Sequence, residues 1–353
     1  SNPEPILDDI RKLVKTGDFT LGEELTKFEN NFSALSQTKY GIGVGTGTDA
    51  LRLSLIALGI GPGDEVITAA NTFYATAGAI ATVGAKPVFV DVANDYTINA
   101  DLIEAAITGK TKAIIPVHLH GCPADMGKVM RLSNKHNIHV VEDACQAIGA
   151  EIDGRKAGSF GITGCFSFHP LKPVNVWGDG GMVVTSSEKI REKLLLLRNH
   201  GLISRDECEF YAYNSRLDTL QAVVGNHMIK DVNWIVNAKI ENARAYDEEL
   251  SKIPAVVLPP RKKGHKNVFH NYVVMAEKRD QLLTFLRNNG IDAKVHYPIP
   301  LHLQKASRYL GYKKGDFPAA EYQADHIISL PVHQHLSEGQ KKYVAQKVKE
   351  FFR

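Results

Sequence analysis

The first half of this chain is organised in blocks of apolar and polar residues. Between about residues 40 and 190, short apolar runs rich in β-branched side chains recur at positions 40–44, 65–69, 87–91, 113–117, 138–142, 165–168 and 182–185. These runs are near-continuous rather than alternating, the pattern of strands covered on both faces. Helical patterns lie between most of them. Positions 48–58 follow Gly45-Thr46-Gly47 and are closed by the Pro62-Gly63-Asp64 turn, and positions 124–136 precede the run at 138. Strand–helix alternation predicts an α/β fold built on a mostly parallel seven-stranded sheet covered by helices.

Beyond about residue 235 the pattern changes. Helices are predicted at 237–252 and 279–289 and strands at 270–276 and 294–297. A closing helix over 337–352 has Ser337 and Gln340 spaced as a capping box. The expected organisation is a large domain over 1–235 and a smaller α+β domain over 236–353.

Composition narrows the class without naming a chemistry. The 353 residues carry a formal net charge of +3, too small to argue for a nucleic-acid or membrane partner. There is no apolar run of the ~20 residues that a membrane helix needs. The opening Ser1-Asn2-Pro3-Glu4-Pro5 lacks the basic and apolar regions of a secretion signal. Cys122, Cys145, Cys165 and Cys208 form no CxxC pair, and the histidines show no metal-binding spacing, so no metal is expected. Reduced thiols in a cytoplasmic enzyme are the simplest expectation.

The candidate chemistry gathers at predicted strand ends. Lys172 ends the segment Cys165-Phe-Ser-Phe-His-Pro-Leu-Lys and precedes the Gly178-Asp179-Gly180-Gly181 turn. Most lysines are solvated surface groups, but Leu171, Pro173 and Trp177 surround this one with apolar neighbours. Desolvation lowers a lysine's pKa and makes it a competent amine for imine formation. Asp143 ends another strand, where a carboxylate can pair with a protonated pyridine nitrogen; it also suits a helix N-cap. Gln146 follows three residues on. Gly47 and Thr48 open a helix, the place where backbone N–H groups bind phosphate, and Ser167 adds a hydroxyl. Phe73 can stack on a planar ring or simply pack in the core.

In chain order these are a phosphate cradle, a stacking aromatic, a pyridine-nitrogen partner and a lysine for a Schiff base. The chain resembles the DegT/DnrJ/EryC1/StrS aminotransferases, sugar aminotransferases of PLP fold type I. The likeness covers nearly its whole length, through Phe28-Glu29, Gly47-Thr48-Asp49-Ala50-Leu51, Gly63-Asp64-Glu65-Val66, Glu142-Asp143-Ala144, Ser167-Phe168-His169, Gly178-Asp179-Gly180-Gly181, Asn214-Ser215-Arg216-Leu217-Asp218, His296-Tyr297-Pro298 and Leu330-Pro331.

The resemblance implies pyridoxal 5′-phosphate (PLP, cycling with PMP) held on Lys172, with Asp143 at the pyridine nitrogen and Gln146 near the ring hydroxyl. It implies Gly47, Thr48 and Ser167 at the phosphate and Phe73 over one ring face. It implies a homodimer with composite sites, in which Asn214 reaches the partner's PLP phosphate. His296, Tyr297 and His302 resemble the substrate-proximal stretch, and His169 and Trp177 are expected to line the same pocket. The implied reaction moves an amino group from glutamate, leaving 2-oxoglutarate, to a keto-sugar in amino-sugar or lipopolysaccharide biosynthesis.

Many relatives have small residues where this chain has Val174-Asn175-Val176-Trp177, so Trp177 should reshape the sugar pocket. The Phe-His-Pro-Leu-Lys…Asn-Val-Trp pattern resembles the branch of the family that makes 8-amino-3,8-dideoxy-manno-octulosonate. That makes 8-oxo-3,8-dideoxy-manno-octulosonate a candidate acceptor, with nucleotide-bound keto-sugars as the alternative. A sugar dehydratase would carry histidine in place of Lys172. A regulatory protein on the same fold would have lost one or more of Asp143, Gln146, Ser167 and Lys172.

Overall fold

Two helices, α1 (Glu4–Thr16) and α2 (Glu23–Leu35), precede the alternation β1 (Tyr40–Val44), α3 (Gly47–Ala57), β2 (Glu65–Ala69), α4 (Ala75–Thr82), β3 (Lys86–Val90), β4 (Thr111–Ile115), α5 (Met126–His136) and β5 (His139–Asp143). The short strands β6 (Glu151–Ile152) and β7 (Arg155–Lys156) lead to β8 (Thr163–Ser167), β9 (Gly181–Thr185), α6 (Glu188–Leu197), α7 (Thr219–Met228) and α8 (Val232–Leu250). The remainder comprises β10 (Val256–Val257), β11 (His265–Lys266), β12 (Tyr272–Ala276), α9 (Arg279–Asn288), α10 (Pro318–His326), β13 (Ile327–Leu330) and α11 (Glu338–Phe351). The computed structural model describes residues 3–353; Ser1 and Asn2, which begin the stretch read for a secretion signal, lie outside them.

The central sheet has seven strands in the order β1-β9-β8-β5-β4-β2-β3. β3, β2, β4, β5 and β8 pair in parallel, and β9 runs antiparallel to both its neighbours. The expected mostly parallel, helix-covered sheet is therefore present. Buried side chains such as Ile42, Val66, Ile115, Val141 and Val183 pack with α3 in one layer. Phe28, Phe32, Phe166 and Phe168 pack with α7 and α8 residues in another. A separate three-stranded antiparallel sheet, β10-β12-β13, carries its own core with α9 and α11. The capping box of Ser337 and Gln340 is formed.

Register brings three chain segments to one edge of the sheet. Val44 and Ser167 both lie opposite Gly181. A Cβ on Gly181 would stand 2.3 Å from the Thr46 carbonyl oxygen and 2.8 Å from the Gly47 nitrogen. The last glycine of the Gly178–Gly181 turn is thus required by the close approach of the β1–α3 loop.

The strand expected at 294–297 is not one. Lys294 makes a single antiparallel bridge to Ser329, and the chain then leaves the sheet edge. Pro298 and Pro300 follow at once and supply no N–H groups for a ladder. Residue 235, where the sequence pattern changes, lies inside the continuous helix α8.

Candidate active site

The β1–α3 turn is capped by Thr46, whose hydroxyl accepts the Asp49 N–H at 2.9 Å. The N–H groups of Gly47 and Thr48, in the first helical turn, have no intrahelical acceptor and point out of the helix end. Gly47 is pressed onto the neighbouring strand end. A Cβ there would lie 2.7 Å from Ser167 Cβ and 3.0 Å from Cys145 Sγ. Thr48 is exposed and Ser167 half-buried, and the close approach at Gly47 brings the helix start beside the Ser167 hydroxyl.

Lys172 sits in a tight turn after β8. Its N–H donates to the His169 carbonyl at 2.8 Å, and the turn is pinned by Val174 and Val176, both fully buried. The amine of Lys172 has no hydrogen bond or ion pair among the described residues. Burial holds its pKa below the usual lysine value, while the nearby Cys145 and Asp143 pull it back up. His169 and Trp177 flank the turn. His169 is exposed, with Nδ1 accepting from the Leu171 N–H, and Trp177 is 49% exposed with a left-handed φ of 58°.

Alternation along β5 separates two carboxylates. Glu142 turns into the core, where it meets His118 Nε2 and accepts the N–H groups of Gly158, Phe160 and Gly161. Asp143 faces the other side and is 6% exposed. One of its oxygens accepts the Thr76 hydroxyl at 2.8 Å and the other the Cys145 N–H at 3.2 Å. Residues 144–149 form turns, so Asp143 caps no helix. Each oxygen accepts one bond and retains capacity for another.

Gln146 joins the two halves of the site. Its carbonyl accepts the His120 N–H at 2.7 Å, and its amide donates to the Tyr297 hydroxyl at 3.1 Å. Burial pushes the Tyr297 hydroxyl up to about 12, against the Gln146 bond that lowers it. Phe73 is exposed, its ring centroid 5.8 Å from that of Tyr297. Its carbonyl accepts the Thr76 N–H, which ties the aromatic to the partner of Asp143. His296 bonds Ser329 Oγ at 2.8 Å through Nδ1, and burial lowers its pKa.

His302 does not fit the expected pocket role. It is buried, bonded to Glu321 through Nε2 at 2.9 Å and packed against Phe317 at 4.7 Å between ring centroids. Its ring is used inside the fold. Asn214 is exposed and bridges Asn199, while the next residue, Ser215, accepts the Gly45 N–H at 3.1 Å. Asn214 therefore borders the phosphate-type turn.

The sequence reading missed Thr76, whose only local signal is its place three residues after Phe73. It also missed His120, whose N–H meets Gln146 across a chain separation of 26 residues. Asn71 Oδ1 and Thr72 Oγ1 are buried beside Phe73 without partners among the described residues. Free helix-start amides, buried polar groups without partners, a desolvated unpaired lysine and a half-used carboxylate are the donors and acceptors a phosphorylated pyridine aldehyde requires. The residues present fit PLP.

Comparison with known proteins agrees. Residues 2–349 match the model of the DegT/DnrJ/EryC1/StrS aminotransferase family. The chain is 43% identical to a pleiotropic regulatory protein of Geobacillus stearothermophilus, over 99% of this chain and 94% of that one. It is also 43% identical to the UDP-N-acetyl-3-dehydro-alpha-D-glucosamine 3-aminotransferase of Acidithiobacillus ferrooxidans, over 98% and 93%. Among solved structures it is similar to S. venezuelae DesV in complex with a ketimine intermediate. The TM-score is 0.97 at 38% identity, covering 99% of this chain and 95% of that one. Solved structures of further similar chains are PLP and PMP forms.

Proposed function

The chain belongs to the DegT/DnrJ/EryC1/StrS aminotransferase family and is a PLP-dependent sugar aminotransferase, and from that premise we propose that it transfers the amino group of L-glutamate to C3 of a nucleotide-bound 3-keto-sugar. The observation that carries the reaction is the unpaired, desolvated amine of Lys172, in the turn after β8, near Asp143 at the end of the neighbouring β5. The acceptor is inferred from the relative at 43% identity whose name places the new amine at C3 of a UDP-sugar.

In this reading the amides of Gly47 and Thr48 and the Ser167 hydroxyl hold the phosphate. Phe73 would cover one face of the cofactor ring, and Gln146 would lie near its hydroxyl. Asp143, oriented by Thr76 and Cys145, keeps the proton on the ring nitrogen. When bound, PLP supplies the electron sink that stabilises negative charge on the substrate carbon. Lys172 Nζ takes the proton from the donor α-carbon and later returns one to the sugar carbon. His169, Trp177, His296 and Tyr297 surround the acceptor.

The test is a panel of keto-sugars with L-glutamate as donor. Turnover should be at least ~10-fold faster with a UDP- or dTDP-linked 3-keto-sugar than with a 4-keto isomer or 8-oxo-3,8-dideoxy-manno-octulosonate, a preference of ~1.4 kcal/mol. Preference for the octulosonate overturns the nucleotide assignment. No amine transfer to any keto-sugar supports a regulatory role instead, which the name of one relative brings forward.

We also propose a homodimer with shared sites in the cytoplasm. The segment before Asn214 exposes Phe210, Tyr211 and Tyr213, aromatics of the kind that anchor interfaces, and the four cysteines are unpaired, as a reducing compartment keeps them. If Asn214 reaches the partner's phosphate site, Lys172→Ala and Asn214→Asp chains, each inactive alone, should recover part of wild-type activity when mixed under subunit exchange. No recovery despite proven exchange places Asn214 in its own chain's site.

A further inference from the structure

Helix α8 carries a buried stripe at Val232, Ile235, Val236, Lys239, Asn242, Ala243, Tyr246 and Leu250. The spacing is that of a helix face turned inward. Val232 and Val236 pack with Ala144, Ala147 and Ile148 under the central sheet, and Ala243, Tyr246 and Leu250 pack in the core of the smaller sheet. Lys239 occupies the stripe between these two cores. It is 7% exposed, and its amine has no hydrogen bond or ion pair among the described residues.

We propose that Lys239, one turn of α8 from the Val236 that packs against Ala144 and Ala147 next to Asp143, binds a carboxylate of the amino-acid donor. This rests on the transaminase reading of the site. A buried ammonium without a counter-ion is costly, and removing it from water is offset only by a partner charge. The charged group that acts on its amine is another lysine, Lys172, rather than a carboxylate. Burial, then the charge of Lys172, brings Lys239 down to about 8. Burial, then the charges of Lys172, Lys239, His120 and His296, holds His270 well below the usual histidine value, and its Nδ1 is buried without a partner among the described residues. The charge of Lys239 also acts on His333, whose carbonyl accepts from Asn242, one turn along α8.

Three other cations near the smaller sheet are already engaged. Arg261 pairs with Asp247, Lys262 with Asp95, and Arg279 donates to the carbonyls of Ala324 and Ile327. An amino acid brings a carboxylate on the very carbon that gives up its proton. A keto-sugar brings none to its reacting carbon. The two substrates share the site in turn, so a cation placed here serves the donor half-reaction.

The test uses the holoenzyme and the neutral variant Lys239→Met, with Lys239→Arg as the charge-conserving control. The probes are L-glutamate in the donor half-reaction and glutarate as an unreactive dicarboxylate measured by calorimetry. Lys239→Met should weaken both by about 10–100-fold, the range of a lost charge-assisted hydrogen bond. Lys239→Arg should stay within about tenfold, and the keto-sugar KM should change by less than about threefold. The Met variant should also melt no lower than wild type without ligand, because it removes an unpaired buried charge. Unchanged glutarate binding, equal losses for donor and keto-sugar, or a lowered melting temperature overturns the assignment. Should the Met variant fail to fold, that outcome too makes Lys239 structural. Failure of the transaminase reading shows separately, as wild-type protein that reacts with no amino acid; glutarate binding still decides the role of Lys239.

Discussion

Lys172→Ala should give a folded protein with no measurable amino transfer, a loss beyond the ~10²–10⁴ attached to a single acid–base group. Two roles leave with one amine: the covalent anchor for the cofactor and the base that moves the α-proton. The anchor role needs a neutral amine near pH 7, and burial lowers the pKa of Lys172 in that direction. Borohydride treatment of the wild-type holoenzyme should fix the cofactor on the peptide containing Lys172. Lys239 is a real competitor, since it too is buried with a lowered pKa. Labelling at Lys239 would therefore overturn both the anchor assignment and the donor-carboxylate role.

The same shift fixes the sign of a stability effect. The folded-state pKa of Lys172 is below its unfolded value, so the unfolded chain binds more protons in between. The cost of holding the charge is fully present at low pH and fades as pH rises toward the unfolded value of about 10.4. Without cofactor, the Ala variant should be at least as stable as wild type at neutral pH, with the difference narrowing toward that value.

Much of this fold could be read from the chain, because fully covered strands leave a continuous apolar signature. β1 and β2 fall where the runs at 40–44 and 65–69 place them. α1 left little trace, since only Ile6 and Leu13 among its residues are buried. α2 was legible in principle: Leu25, Phe28 and Phe32 share one face. The site divides in the same way. Asp143, Gly47 and Ser167 stand at strand ends or helix starts and Lys172 in the turn after β8, places that local patterns mark. The contacts that orient them join distant segments: Thr76 reaches Asp143 across 67 residues, and Gln146 reaches Tyr297 across 151. No periodicity encodes such pairings. His302 shows the opposite error, since a histidine near a substrate-type motif gave no sign that Glu321 and Phe317 would enclose it. Lys239 was hidden because a lysine in a helix usually faces water, and only the phase of α8 turns this one inward.

Asp143→Asn should slow turnover by on the order of 10²–10⁴ while leaving the fold intact. The present hydrogen bonds explain why the substitution isolates the charge. One carboxylate oxygen accepts from Thr76 Oγ1 and the other from the Cys145 N–H. An asparagine can keep its carbonyl on the Cys145 N–H and turn its amide toward Thr76, whose hydroxyl can rotate to accept. No buried group is orphaned. Asp143→Ala, in contrast, strips both partners and should cost ~1–3 kcal/mol of stability for each group left unsatisfied. What the Asn variant loses is the negative charge that keeps a proton on the ring nitrogen. A cofactor analogue with a permanently cationic ring nitrogen should therefore restore much of the lost rate to Asp143→Asn and little to Lys172→Ala. A decrease smaller than about tenfold, equivalent to ~1.4 kcal/mol of barrier, or no rescue by the cationic analogue, would mean that Asp143 serves only to shape the turn after β5.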